Sequence, residues 1–209
     1  MFDFEGVKIK WLGHAGFKIK KKKVVYIDPY HIDETEEADL ILITHEHYDH
    51  CSPDDIKKII KEDTVTIGPK SAIMKLEHGN TFIIKPGDRK EFDDIIIDVI
   101  PAYNIGKKFH PKEKGGVGYI ITIDGKKIYH AGDTDLIPEM EKLVVDVALL
   151  PVGGEYTMNA EEAASAANKI KPKIAVPMHY GSIIGSKEDA EEFSKLCECE
   201  VRILGKGEN

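Results

Sequence analysis

Apolar residues alternate with polar ones, or run together, over twelve short stretches of four to seven residues: 7–12, 15–20, 24–28, 39–44, 65–68, 81–84, 95–101, 117–123, 127–131, 145–150, 174–178 and 200–204. Their length and their Ile and Val content predict strands. Helix signals are fewer. Ser52-Pro53-Asp54-Asp55 sets a capping hydroxyl before a first-turn proline and two acids, predicting a helix to about Glu62. Asn159-Ala160-Glu161-Glu162 reads as a capping box opening a helix to about Ile170, Lys187 to Leu196 reads as a third, and a short one is expected over 71–76. Lys20 to Lys23 reads as a hairpin turn with a solvated tip. Strands interleaved with helices, without a sequence repeat or a low-complexity linker, predict one mixed α/β domain over residues 1–209.

Composition narrows the class. A chain of 209 residues can bury roughly 70% of its unfolded surface, so a full core is available. No apolar run approaches the ~18 residues of a membrane span, and Met1 to Lys10 lacks the basic start and apolar stretch of a secretory signal, so no membrane association and a cytoplasmic location are expected. Cys51, Cys197 and Cys199 form neither a disulfide framework nor a structural zinc pattern. The net charge of -8 speaks against an extended nucleic-acid surface.

Chemistry concentrates in one place. Thr44-His45-Glu46-His47-Tyr48-Asp49-His50 holds three of the nine histidines and a carboxylate between an apolar run and a helix start. Imidazoles with carboxylates and no thiolate are the donor set of zinc, manganese or iron. Similar residues follow two later strands, in His130-Ala131-Gly132-Asp133-Thr134-Asp135 and in Pro177-Met178-His179-Tyr180-Gly181-Ser182. His31 and His78 have no partner motif and read as surface residues.

These motifs, with Trp11-Leu12-Gly13-His14-Ala15-Gly16-Phe17, Tyr26-Ile27-Asp28-Pro29 and the stretch from Leu149 to Ala164, resemble the metallo-β-lactamase fold superfamily. Within it they are similar to the small metal-dependent hydrolases related to L-ascorbate phosphate lactonase. The resemblance runs from about Val7 to Ser182. It implies a single-domain, four-layer αββα sandwich with two divalent metal ions, zinc first and manganese or iron as alternatives. By position, His45 and His47 would bind the first metal, Asp49, His50 and His179 the second, and Asp133 would bridge them. The first metal then lacks a third histidine. Asn104 stands where many relatives place it, and His110 follows six residues later. His110 is the expected ligand because a neutral amide is a poor one for zinc, with Asn104 left to hydrogen-bond substrate or complete the shell weakly.

The remaining candidates support that set. Asp28 would accept an imidazole N–H and so fix a ligand's tautomer. His14 and Tyr180, with Asp49, are candidates for proton or charge handling, and His130 is a weaker candidate for support or substrate contact. Glu46 and Tyr48 are expected to point away from the metals. The implied chemistry is hydrolysis by a metal-bridged hydroxide of an ester-like bond (lactone, carboxyl ester or phosphodiester) in a small substrate. Lys107, Lys108, Lys112 and Lys114 could greet an anionic one, and Gly115, Gly116 and Gly118 could let their loop move. The alternatives are a nucleic-acid phosphodiesterase and a non-catalytic metal-binding regulator. A homo-oligomer is compatible with the sequence.

Overall fold

The computed structural model describes residues 1–77 and 79–208, so His78 lies outside the described residues. The chain forms two compact units, Met1–Lys85 with Leu204–Asn209, and Pro86–Ile203.

The first unit carries a seven-stranded sheet whose strands lie in chain order, β1 (Phe2–Phe4), β2 (Val7–Gly13), β3 (Gly16–Lys20), β4 (Val24–Ile27), β5 (Leu40–Leu42), β6 (Val65–Gly68) and β7 (Thr81–Ile83). Neighbours from β1 to β4 pair antiparallel through short turns. From β4 onward the pairing is parallel, which requires crossover connections. Two of these contain α1 (Pro53–Ile59) and α2 (Lys70–Ile73). Ser52 caps α1 by accepting from the Asp55 N–H, as its sequence predicts, but the helix stops at Ile59 because Ile60 turns extended. Thr64 Oγ1 then takes the Lys61 N–H at 2.9 Å, closing a turn where the helix was expected to continue. Ile56, Ile59 and Ala72 pack with Leu12, Tyr26, Ile41 and Ile43 in one core cluster. Each isoleucine so buried contributes about 1.5–3 kcal/mol.

The second unit repeats this plan. Its sheet is β8 (Arg89–Phe92), β9 (Ile95–Pro101), β10 (Val117–Ile123), β11 (Lys126–His130), β12 (Val147–Pro151), β13 (Ile174–Met178) and β14 (Glu200–Val201), again in chain order. β8 to β11 pair antiparallel and β11 to β14 parallel. α3 (Ala160–Ile170) and α4 (Lys187–Leu196) fill crossovers and pack on one another and on β12 and β13. The Asn159 capping box opens α3, whose buried face is almost all alanine, so the helix can approach its neighbours closely. No sequence repeat announces this duplicated topology.

All twelve predicted strands are present, four with the predicted bounds and eight with an end shifted by one to three residues. Only β1 and β8 were not legible: β1 is three residues long, and β8 is a charged, mostly exposed edge strand. Gly118, read from sequence as a loop hinge, is instead a packing position in β10. A Cβ there would lie 2.7 Å from the His130 carbonyl oxygen. Among the described residues no helix is long and apolar enough to cross a membrane.

Candidate metal centre

In the first unit β2, β4 and β5 run in the same direction, and their carboxyl ends deliver His14, Asp28 and the Thr44 to His50 segment to one sheet edge. That edge is where α/β sheets bind ligands. The backbone is held out of its ordinary range there. His14 and Asp28 adopt φ of 49° and 45°, a left-handed conformation that costs a non-glycine residue ~1–2 kcal/mol. Trp11 Nε1 donates to the His14 carbonyl at 2.9 Å, bracing the turn.

A single buried carboxylate sets two imidazole tautomers. Asp28 accepts the Thr44 N–H at 2.8 Å and the Thr44 hydroxyl at 2.6 Å, and its Oδ2 lies 2.7 Å from His50 Nδ1. The His50 ring therefore carries its proton on Nδ1 and offers a lone pair at Nε2. Thr44 has only one hydroxyl proton, already given to Asp28. At 3.0 Å from His45 Nδ1 it must accept, so His45 also presents Nε2. That atom stands 3.1 Å from His47 Nδ1.

His14 Nε2 meets Asp49 Oδ2 at 2.9 Å, and His50 Nε2 is 3.7 Å from the same oxygen. Glu46 turns outward, its carboxylate taking the Ser71 hydroxyl and its carbonyl the Lys75 ammonium.

The second unit makes the equivalent edge from β9, β11 and β13, which also run in one direction. Asp133 follows β11, His179 follows β13, and the loop after β9 brings Asn104 and His110. Asp133 Oδ2 lies 3.1 Å from His179 Nε2 and 3.5 Å from His110 Nε2. His110 and His179 also have left-handed backbones, φ 56° and 60°. His110 Nδ1 is 3.2 Å from the Tyr156 carbonyl, to which it can only donate, so Nε2 holds the lone pair.

The nitrogens of Asn104 are spent on the loop itself, while its Oδ1 is buried with no hydrogen-bond partner among the described residues. Its Nδ2 donates to the Tyr156 carbonyl at 2.7 Å and the Phe109 carbonyl at 3.1 Å, while its N–H donates to the His110 carbonyl at 2.7 Å. His110 thus stands with Asp133, and Asn104 holds His110 in place. His130 is fully buried in β11, and its Nδ1 accepts the Gly132 N–H at 3.2 Å, shaping the turn before Asp133. Tyr180 is buried, which pushes its hydroxyl pKa up to about 12. The phenol therefore keeps its proton at neutral pH and can only be a donor to an anion.

Two parts of this edge escaped sequence reasoning. Asp135 takes the Ile105 N–H at 2.8 Å and the Lys107 ammonium at 2.6 Å; the repeated aspartate of Gly132-Asp133-Thr134-Asp135 was the available signal. Lys107 also donates to the Gly154 and Thr157 carbonyls, and Lys112 pairs with Glu139 over the Tyr103 ring. Half of the lysine cluster is thus occupied within the fold, and the expectation that it greets an anionic substrate loses its basis there.

Gly153 gives a direct test of His179 placement. A Cβ on it would lie 2.5 Å from the His179 carbonyl oxygen and 3.2 Å from its Nδ1. Gly153→Ala is expected to destabilise the protein by about 1–3 kcal/mol, read as a lower midpoint in urea denaturation. An unchanged midpoint would mean that the turn after β13 yields without cost.

The donor sets fit a divalent metal. Two ligand atoms each ~2.05 Å from one tetrahedral ion stand roughly 3.3 Å apart. The His45–His47, His179–Asp133 and His110–Asp133 separations are 3.1, 3.1 and 3.5 Å. Lone pairs directed by hydrogen-bonded partners, rather than protons, occupy the facing atoms of His45, His50 and His110.

Comparison with known proteins gives a consistent picture. A family model described as beta-lactamase superfamily domain matches residues 8–179. A UPF0173 metal-dependent hydrolase of Thermococcus onnurineus is 38% identical, with 97% of this chain and 98% of the relative aligned. A solved structure from Parabacteroides distasonis superposes with a TM-score of 0.86 at 36% identity, covering 95% of this chain and 92% of that one. A metallo hydrolase of the archaeon Ignicoccus hospitalis gives a TM-score of 0.80 at 28% identity, covering 97% and 96%.

Proposed function

The chain belongs to the beta-lactamase superfamily and has the metallo-β-lactamase fold, and on that premise we propose that it is a metal-dependent hydrolase holding two divalent ions, zinc first, with manganese or iron as alternatives. His45 and His47 with His110 form one ligand set in this reading, Asp49, His50 and His179 the other, and Asp133 is shared. The observation that carries it is the convergence of His110 Nε2 and His179 Nε2 on one Asp133 oxygen, each within 3.5 Å. A structural ion pair would not call for two imidazoles on one carboxylate oxygen, one of them with its proton directed to the Tyr156 carbonyl.

When bound, such ions lower the pKa of a coordinated water from ~15.7 toward ~7 and polarise the substrate oxygen. The chain's own residues do the rest. Asp49 accepts the His14 Nε2–H at 2.9 Å, which orients its carboxylate to accept a proton from the attacking water. Tyr180, kept protonated by burial, donates to the developing oxyanion. The bond cleaved is ester-like: a lactone, a carboxyl ester or a phosphodiester of a small molecule.

The test is metal analysis of protein purified without added metal and again after reconstitution, followed by a panel of carboxyl esters, lactones and phosphodiesters. About two ions per chain with hydrolysis of one class is expected, and less than one ion after reconstitution would overturn the binuclear reading. The tautomer relay has its own test. Thr44→Val removes both the proton given to Asp28 and the acceptor for His45, and should weaken metal binding about 10–100-fold in chelator competition. An affinity equal to wild type would reduce Thr44 to a packing residue.

A further inference from the structure

The first unit holds a cavity of about 710 Å³ that the reading above does not use. Its size falls in the ~300–1,000 Å³ range of small-molecule pockets. One wall is aromatic. The Tyr30 ring stacks on His31 at 4.1 Å and 25°, and meets Tyr48 edge-on at 5.8 Å and 77°. On the side toward the donors, Tyr30 meets the His14 ring at 6.2 Å and 65°. Tyr48 lies between His47 and Asp49 in sequence and is 64% exposed. The aromatic wall therefore runs from the cavity to the His14–Asp49 pair.

The wall is braced before any ligand arrives. Asp55 accepts the N–H groups of His31 and Ile32 at 2.9 and 3.2 Å, and also takes the Ser52 hydroxyl and the Lys58 ammonium, both at 2.7 Å. Downstream, Glu34 is clamped by Lys10 at 2.8 Å and Lys18 at 2.6 Å. A segment tied at both ends loses little freedom on binding, which favours affinity.

The charge around the cavity selects against anions. Lys58 is occupied by Asp55 and by the Ile32 carbonyl at 2.9 Å. Of the other charged liners, Asp33 and Asp54 outnumber Lys206. What the wall offers is ring faces and edges, which favour another flat ring over a saturated one of the same size.

We propose that Tyr30, His31 and Tyr48 form a subsite for a neutral aryl group of the substrate, with the bond to be cleaved directed toward His14 and Asp49. The word substrate rests on the hydrolase reading; the aryl site does not. The experiment uses metal-loaded protein with benzyl acetate, cyclohexylmethyl acetate and 4-carboxybenzyl acetate, whose ester bonds are of similar intrinsic reactivity. Binding of 2-naphthol is followed separately by saturation-transfer NMR.

Benzyl acetate should be preferred over cyclohexylmethyl acetate by about tenfold in kcat/KM, mainly through KM. Tyr30→Leu with Tyr48→Leu should erase both that preference and the 2-naphthol signal, while Tyr30→Phe with Tyr48→Phe keeps both. Equal use of the two neutral esters without 2-naphthol binding overturns the aryl site and leaves hydrolysis standing. So does preference for the carboxylated ester. If no ester is cleaved yet 2-naphthol binds wild type and not the leucine pair, the aryl site stands and carboxyl esters drop out of the hydrolase reading.

Discussion

Asp133→Asn is expected to lower kcat/KM by about a thousandfold or more on whichever ester the protein hydrolyses, with no comparable loss of folding stability. The substitution keeps the size of the side chain. It removes the negative charge on which His110 and His179 converge at 3.5 and 3.1 Å, and it can turn an amide N–H toward lone pairs meant for metal. Charge stabilisation by a catalytic ion is worth several kcal/mol, and each ~1.36 kcal/mol is tenfold in rate. Bound metal, measured by mass spectrometry on the desalted variant, should fall with activity. A variant that keeps two ions and more than a tenth of wild-type kcat/KM would remove Asp133 from the shared position assigned to it.

The second large effect separates two residues that the sequence left in competition. His110→Ala should cost about a hundredfold in kcat/KM and reduce the metal content by one ion, because it removes the Nε2 lone pair that stands 3.5 Å from Asp133. Millimolar imidazole should restore part of the loss. Asn104→Ala should cost about tenfold or less and show no imidazole rescue, since Asn104 acts by holding the Phe109 and Tyr156 carbonyls and the His110 backbone. The opposite ranking would make Asn104 the ligand and His110 a loop residue.

These two predictions differ in how far the sequence alone reaches. Asp133 is legible because its motif follows a strand and sits in order between two histidine-bearing motifs. The choice between Asn104 and His110 is not legible, because both lie in a loop without periodicity, and periodicity is what converts spacing into direction. It takes folded geometry to show that the Asn104 amide donates to two carbonyls, 2.7 and 3.1 Å away. The aromatic wall was hidden for a similar reason. Tyr48 falls in the metal motif, where alternation predicts only that it faces away from the donors, and Tyr30 follows Pro29 with no pattern of its own.

What the sequence by itself determined was local and ordered. Alternation and capping placed twelve strands and the capped helices. The density of imidazoles and carboxylates after apolar runs pointed to N/O donor chemistry, and the family resemblance supplied the candidate residues. These follow because hydrophobic period, cap hydroxyls and donor type are properties of neighbours in the chain. The tertiary structure alone decided which nitrogen His45, His50 and His110 turn toward their partners and which lysines are already occupied, and it set His110 Nε2 3.5 Å from Asp133. It also decided that His14, Asp28, His110 and His179 sit in left-handed backbone. A proton on Nδ1 of His50 or His45 depends on Asp28 and Thr44, with Asp28 delivered by a different strand. A lone pair can be assigned only when the group that holds the other nitrogen's proton is known, and sheet pairing brings that group alongside.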